Sequence, residues 1–112
     1  MLYKENRLRL KKDFEKVFKN GKGFHQDFLF LKLLGNDKKQ TRVGFVVSKK
    51  ISNKAVIRNK VKRRLREIIR DQITEINQGF DIVLVALPGL EEKDFSEIKN
   101  MVNNLLNKAG II

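Results

Sequence analysis

One stripe of apolar side chains runs through the most basic part of the chain and constrains the fold more than any other feature. From Lys49 to Arg66 the sequence contains nine Lys or Arg residues and no acidic residue. Apolar residues nevertheless recur there at steps of three and four, which is the period of an α-helix. The stripe comprises Ile57, Val61, Leu65 and Ile68 and continues to Gln72 and Ile76. We therefore predict a long helix with one narrow side packed on a core.

The side chains around this stripe carry one sign of charge. On a helix, Arg58 and Lys62 border one side of the stripe, and Lys60 and Arg64 border the other. A merely solvated helix usually mixes Glu with Lys, because opposite charges four residues apart support it and like charges weaken it. Unbalanced cations of this density indicate nucleic acid as the partner rather than plain solvation.

The positive charge is confined to the first two thirds of the chain. The 112 residues have a net charge of +12. Residues 1–48 contain 12 basic and 5 acidic side chains, residues 49–70 contain 10 and 1, and residues 71–112 contain 3 and 7. The last third is therefore net −4 (3 − 7), which predicts a scaffold face opposite a cationic face. The length suits a single domain, residues 1–112, with one core.

The N-terminal segment, residues 1–12, is basic and aperiodic. We expect an extended arm that rests on the domain through Leu8 and Leu10. It lacks the apolar core of a signal peptide, and no run in the chain approaches the length of a membrane span. The chain has no Cys, which excludes disulfides and thiolate metal sites. These features are typical of a cytoplasmic protein.

Helical periodicity appears in three segments, each with recognisable end signals. The last of them opens with Asp followed by Glu three residues later, which resembles a capping box. The predicted boundaries are Asp13 to Asn20-Gly21 for the first helix, Ser52-Asn53 to about Ile76 for the long helix, and Asp94 to Gly110 for the last.

Three segments are predicted to be strands, at residues 24–34, 42–48 and 80–87. The first two should pair as a hairpin across the turn at 35–39. The third is a near-continuous apolar run, which is typical of a strand buried on both faces. A strand reached through a crossover helix pairs in parallel. We therefore predict an α+β sandwich, a small mixed sheet with helices packed on it.

Two aromatic side chains in the first helix admit two interpretations. Phe14 and Phe18 share a face with Val17 at helical spacing, which favours core packing, but they could also form a stacking platform for unpaired bases. His25 is the single His of the chain, and without Cys or a second His it does not predict a zinc site.

No catalytic residue is predicted. A two-metal nuclease site needs several carboxylates that converge on two cations. The candidates Asp13, Asp27, Asp37 and Asp81 come from different elements and show no common motif. A cap, a turn residue and a strand end are the more ordinary roles for Asp13, Asp37 and Asp81.

The basic helix and its flanks resemble the bacterial ribonuclease P protein subunit. The resemblance is carried by Ser48-Lys49-Lys50, by AVIRNKVKR at residues 55–63, and by Arg66-Glu67. It extends to Asn6-Arg7-Leu8, Asp13-Phe14, Val17-Phe18, Gly21 and Arg42-Val43-Gly44. Lys60 departs from the family pattern, in which Arg is frequent, and Ser52 stands where Gly is frequent.

The resemblance implies a small mixed four-stranded sheet with three helices in an α/β sandwich. It also implies a left-handed βαβ crossover, where general rules favour a right-handed one. It implies a non-catalytic subunit that binds a catalytic RNA and the 5′ leader of precursor tRNA, with Mg²⁺ bound chiefly by the RNA. DNA and membranes are not expected partners. A ribosomal or other structural RNA-binding protein is the alternative, and a membrane-binding amphipathic helix is a weaker one.

The resemblance also assigns residues. The RNA-binding positions are Lys49, Lys50, Arg58, Asn59, Lys60, Lys62, Arg63 and Arg66. A leader cleft would be lined by Phe14 and Phe18 from the first helix. Phe28 and Phe30 are both candidates for the aromatic of the second strand, and strand alternation would place them on one face.

Overall fold

The computed structural model describes residues 3–112 and contains three helices and a four-stranded mixed sheet. The elements are α1 Lys11–Asn20, β1 Lys22–Gln26, β2 Leu29–Gly35, β3 Arg42–Val46, α2 Ala55–Gln72, β4 Phe80–Ala86 and α3 Phe95–Lys108. Short 3-10 turns precede α1 at Lys4–Asn6 and α3 at Leu90–Glu92. The α+β class, the three helices and the four strands implied by the resemblance are confirmed. Within residues 3–112, no helix is long and apolar enough to cross a bilayer.

The sheet has the strand order β1-β2-β4-β3. β2 pairs antiparallel with β1 and β4, whereas β3 pairs in parallel with β4. The predicted hairpin between residues 24–34 and 42–48 is therefore wrong. The hairpin lies within residues 22–35, because Asp27 adopts a left-handed φ of 50° and turns the chain. The parallel pair across α2 is confirmed, and the handedness of that crossover stays a prediction.

The central position of β4 explains the error. Its residues are almost all buried, and both of its edges are paired. A strand with apolar side chains on both faces is stable only between other strands and between two layers of helix. β4 therefore separates β2 from β3, although these two strands are neighbours in sequence.

The main core lies between the sheet and the helix pair α2 and α3. The predicted stripe of α2 is confirmed, because Val61, Leu65 and Ile68 are buried there. The predicted limits of this helix are wrong at both ends. It begins at Ala55 without a side-chain cap, and it ends at Gln72, four residues before Ile76. Residues 73–76 form a turn after the helix, and Ile73 and Ile76 are buried in the main core there.

The two ends of α3 follow the prediction. The Asp94 carboxylate accepts a hydrogen bond of 2.8 Å from the backbone N–H of Glu97. Gly110 has a φ of 73°, a conformation that favours glycine, and follows the last turn. Between these ends α3 packs on the main core through Ile98, Val102 and Leu105.

The N-terminal segment crosses the edge of β3. Arg7 forms a parallel bridge with Val43, and the Leu8 N–H donates to the Val43 carbonyl at 3.1 Å. Leu8 is buried, whereas Leu10, the residue just before α1, is 55% exposed. The predicted anchor is confirmed for Leu8 and wrong for Leu10. Met1 and Leu2 of the predicted arm lie outside the described residues.

Helix α1 packs on the opposite face of the sheet from α2 and α3. Its Val17 is fully buried against Leu8 and Val83 in a second, smaller cluster. The predicted cap role of Asp13 is wrong, since the helix begins two residues earlier at Lys11. Gly21, which follows the helix, has an ordinary φ of −80°, but a Cβ there would lie 2.9 Å from the Leu33 carbonyl oxygen. Glycine is needed here for close approach to β2.

Arg42 at the start of β3 ties α1 to the sheet. It donates to the two carboxylate oxygens of Asp81 at 2.9 and 2.7 Å and to Asp13 at 3.4 Å. Asn36 donates to Asp81 as well, at 2.8 Å. The hydrogen bond to Asp81 raises the pKa of Arg42 above its ordinary value, and burial opposes this only in part. Since folding raises this pKa, the stabilisation is fully present below the pKa of the unfolded chain and is lost as pH rises through the higher pKa of the folded chain.

We expect Arg42→Met to lower the free energy of unfolding by about 3 kcal/mol, because it leaves the Asp81 carboxylate buried without its cation. Urea denaturation measures the loss. Arg70→Met is the matched control, since Arg70 pairs with Asp71 at 3.2 Å but both side chains are about half exposed. Exposed pairs contribute about 0 to 1 kcal/mol. Equal losses in the two variants would contradict a structural role for Arg42.

Candidate nucleic-acid interface

The cations of α2 divide between solvent and the protein surface. Arg63 on the helix is exposed, as are Asn59 and Lys60, and so are Lys49 and Lys50 in the preceding loop. Lys62 and Arg66 are half-buried. Arg58 is half-buried because its guanidinium donates to the Ser52 carbonyl at 2.9 Å and fixes the loop before the helix. Arg64, on the other side of the stripe, donates to the Lys93 carbonyl at 3.0 Å.

A cleft of about 330 Å³ brings α1, β3, α2 and the N-terminal segment together. Its lining residues are Arg7, Leu8, Arg9, Phe14, Val43, Gly44, Phe45, Lys62 and Arg66. The structure therefore joins one predicted leader-cleft aromatic to two predicted RNA-binding cations. Arg7 and Arg9 were not predicted as site residues. The sequence signals for them were the basic character of the arm and, for Arg7, its place in the resemblance at Asn6-Arg7-Leu8.

Phe14 reaches the floor of this cleft because residue 44 is glycine. A Cβ at Gly44 would lie 2.6 Å from Cε1 of Phe14 and would collide with the ring tip. The ring therefore lies directly against the backbone of β3 and stays half-buried. Any larger residue at position 44 would push the ring out of the cleft.

Three rows of directly paired residues cross the sheet on the side of α1. The first row is Arg42, Asp81 and Leu34, and the second is Gly44, Val83, Lys32 and Gly23. The third, which we call the open row, is Val46, Val85, Phe30 and His25. α1 covers the first two rows: Asp13 bonds to Arg42, Val17 packs on Val83, and the Lys32 ammonium donates to the Gly21 carbonyl at 3.2 Å.

The open row remains accessible beside α1. Val46, Val85 and Phe30 are half-buried, and His25 is exposed. Phe18 of α1 is 41% exposed, whereas Val17 next to it is completely buried. Val17 therefore anchors α1, which leaves Phe18 available for stacking. The ring of Phe14 packs on Gly44 and also lines the cleft, so its packing is confirmed and its stacking on bases stays a prediction.

Phe28 lies elsewhere. Its ring packs against the main core and Gly89, and the Lys93 ammonium is 5.0 Å from the ring centroid. The prediction that Phe28 and Phe30 share a face is wrong, because the turn at Asp27 ends the alternation before Phe28. The structure thus brings Phe14, Phe18 and Phe30 to the face of α1 and places Phe28 on the other side.

Two of the four candidate carboxylates are neutralised by an arginine. Asp13 and Asp81 are both bonded to Arg42, while Asp27 and Asp37 are exposed turn residues. Among residues 3–112, no three His, Asp or Glu side chains are grouped so that they could hold a metal ion. The uncompensated charge around the cleft is positive, which suits a phosphate backbone.

The chain matches the Ribonuclease P family over residues 2–110. It is 37% identical to the ribonuclease P protein component of Pseudanabaena sp. (strain PCC 6903), over 100% of this chain and 97% of the relative. The solved RNase P protein from Thermotoga maritima is similar with a TM-score of 0.83 and 38% identity, covering 91% of this chain and 96% of that one. The Staphylococcus aureus RNase P protein has a TM-score of 0.88 and 27% identity, covering 95% and 96%.

We expect Phe18→Ala to weaken binding of single-stranded RNA about tenfold, since stacking on an aromatic side chain contributes about 1–3 kcal/mol per base. The melting temperature should change little, because the ring is 41% exposed. Phe95→Ala is the matched control, with a ring 37% exposed at the start of α3 on the scaffold side. An equal loss of affinity in both variants, or a fall in stability typical of a core deletion, would contradict the stacking role.

We expect Arg63→Ala and Arg66→Ala each to reduce the salt dependence of RNA binding by about one unit, because each removes a phosphate contact. If six to nine cations contact single-stranded phosphates, the slope of log K against log salt is about −4 to −6 for the unmodified chain. Filter binding over a salt series measures it. Lys99→Ala, an exposed cation on α3, should leave the slope unchanged, and an unchanged slope for Arg63→Ala would mean that Arg63 faces only solvent.

Proposed function

Because the chain belongs to the ribonuclease P protein family, we propose that α2 binds the catalytic RNA of ribonuclease P and that the cleft holds the 5′ leader of precursor tRNA. The chain is the protein component of this endoribonuclease, whose catalysis is carried by its RNA. Neither the family match nor the relatives support a ribosomal protein instead.

The observation that carries the proposal is the meeting of Phe14 with Lys62 and Arg66 in one cleft. An aromatic floor beside cations is the chemistry that binds unpaired nucleotides, because every base has a flat apolar face and every nucleotide a phosphate. Such contacts do not read sequence. The cleft therefore suits leaders that differ from one precursor tRNA to another.

The exposed face of α2 suits a structured RNA. Lys60 and Arg63 are exposed in the first half of the helix, which contains no acidic residue, and Asn59 beside them offers a hydrogen-bonding side chain. Arg63 can present two N–H groups to one phosphate, whereas Lys60 acts as a point charge. With one RNA on α2 and another in the cleft, a single small domain would hold enzyme and substrate together.

Mg²⁺ belongs to the RNA in this proposal. Mg²⁺ prefers carboxylate and water oxygens in octahedral geometry. No carboxylate lines the cleft, and Asp13 and Asp81 are bonded to Arg42, so the described residues do not fit a Mg²⁺ site of their own there. The protein instead contributes cations, which reduce the repulsion between the two RNA chains. Less Mg²⁺ is then needed to bring these chains together.

We expect leader cleavage at low Mg²⁺ to require both the catalytic RNA and this protein, with the protein alone inactive. The benefit of the protein should fade as Mg²⁺ rises, because divalent ions then screen the same phosphates. Single-turnover cleavage of a precursor tRNA, with RNA alone, protein alone and both, measures it. Cleavage by protein alone would contradict the non-catalytic role. No effect of the protein at any Mg²⁺ concentration would contradict the proposal.

A further inference from the structure

The cations that line the cleft come from two parts of the chain that are held in place in different ways. Lys62 and Arg66 belong to α2, which packs on the main core, whereas Arg7 and Arg9 belong to the N-terminal segment before α1. We infer that Asn6 is a positioning residue that holds this segment, and with it Arg7 and Arg9, at the cleft. This inference rests on the proposed function, because it concerns how the chain prepares the cleft for RNA.

Asn6 is a buried polar residue in a segment whose other polar side chains face solvent. It is 9% exposed, whereas the three residues before it are exposed. Its side-chain amide donates to the Thr41 carbonyl at 2.9 Å, immediately before β3 begins. A buried carbonyl needs a donor, and an amide supplies one without adding charge. Asn6 therefore joins the N-terminal segment to the strand that lines the cleft.

The residue that receives this bond is itself fixed on every side. Thr41 is completely buried, and its hydroxyl donates to the Asn77 carbonyl at 2.6 Å and accepts from the Phe80 N–H at 3.2 Å. The Thr41 N–H donates to the side-chain oxygen of Gln78 at 3.1 Å. The Thr41 carbonyl thus has a set position, so the bond from Asn6 ties the segment to the body of the domain.

The bond from Asn6 completes an attachment on both sides of Arg7. On the far side Leu8 is buried, and its N–H donates to the Val43 carbonyl at 3.1 Å. Between these two anchors the Arg7 backbone forms its parallel bridge with Val43. Arg9 follows Leu8 directly and is exposed at the cleft. The position of both arginines therefore depends on the two anchors.

An uncharged anchor suits this place because the cleft is cationic. Its lining residues include four cations and no carboxylate, and like charges on opposite walls repel one another. In the protein without RNA this repulsion favours movement of the N-terminal segment away from α2. The hydrogen bond from Asn6 opposes that movement, and it does not compete with a phosphate for the arginines as a carboxylate would. RNA then binds a wall that is already in place, which avoids the cost of ordering it.

The test is the affinity of the reconstituted holoenzyme for precursor tRNA after Asn6→Leu, which nearly keeps the size of the side chain and removes the donor. We expect binding to weaken about tenfold, the scale of ordering one or two long side chains on association. The cleavage rate at saturating precursor tRNA should be unchanged. The affinity of the subunit for the catalytic RNA should be unchanged as well, because α2 is intact.

A double-mutant cycle separates positioning from a general loss of stability. In a chain that already carries Arg7→Met and Arg9→Met, Asn6→Leu should weaken precursor tRNA binding no further, because the side chains that it positions are gone. Gln78→Met is the matched control, since it removes a different hydrogen bond to Thr41 and leaves the bond from Asn6 in place. It should leave the affinity unchanged even where it lowers the melting temperature.

The inference is overturned if Asn6→Leu does not weaken precursor tRNA binding, if its effect persists without Arg7 and Arg9, or if Gln78→Met causes the same loss. Should Asn6→Leu fail to fold, amide hydrogen exchange in the wild-type holoenzyme decides. An unprotected Leu8 N–H before precursor tRNA is added would mean that the segment is not held in place. A wild-type holoenzyme that binds precursor tRNA no better than mature tRNA would instead refute leader binding in the cleft.

Discussion

The attachment of α1 to one half of the sheet is the constraint on which the rest of the binding surface depends. Arg42 makes this attachment by joining the starts of β3 and β4 to Asp13 of the helix. Because the ion pairs hold one side of α1, the helix covers two rows of the sheet and leaves the third open. If α1 lay centrally, Val17 could still be buried, but neither the cleft nor the open row would exist.

Positive charge is concentrated on some layers of the fold and nearly absent from others. Only a narrow stripe of α2 packs on the main core, so the other sides of that helix can carry cations. α3 completes the same core and carries few cations. The residues that line the cleft include four cations and no carboxylate, so the field there favours an incoming phosphate.

Local sequence patterns predicted the individual elements better than they predicted the pairing of the strands. The α2 stripe, the cap at Asp94 and the doubly buried β4 follow from local periodicity, and each is confirmed. The pairing of β2 with β4 could not be foreseen locally, because it depends on which strand is apolar on both faces and so takes the centre. Phe28 was misplaced for a related reason. Asp27 has a positive φ and turns the chain, so Phe28 lies in the turn and not on the alternating face of β2. The need for glycine at residues 23 and 44 could not be predicted either, because it arises only where a ring from another element, Phe30 or Phe14, lies against the glycine backbone.

The start of α2 has a consequence for how the subunit assembles. This end of the helix has no side-chain cap and no acidic residue in its first turn, although Lys54 and Arg58 are close by. The partial positive charge of the helix end and the neighbouring cations therefore repel one another. A phosphate bound here would relieve that repulsion, and a ligand that binds only the folded form adds its binding energy to folding. A phosphate bound at this turn would accordingly stabilise the folded helix end as well as contribute to RNA binding.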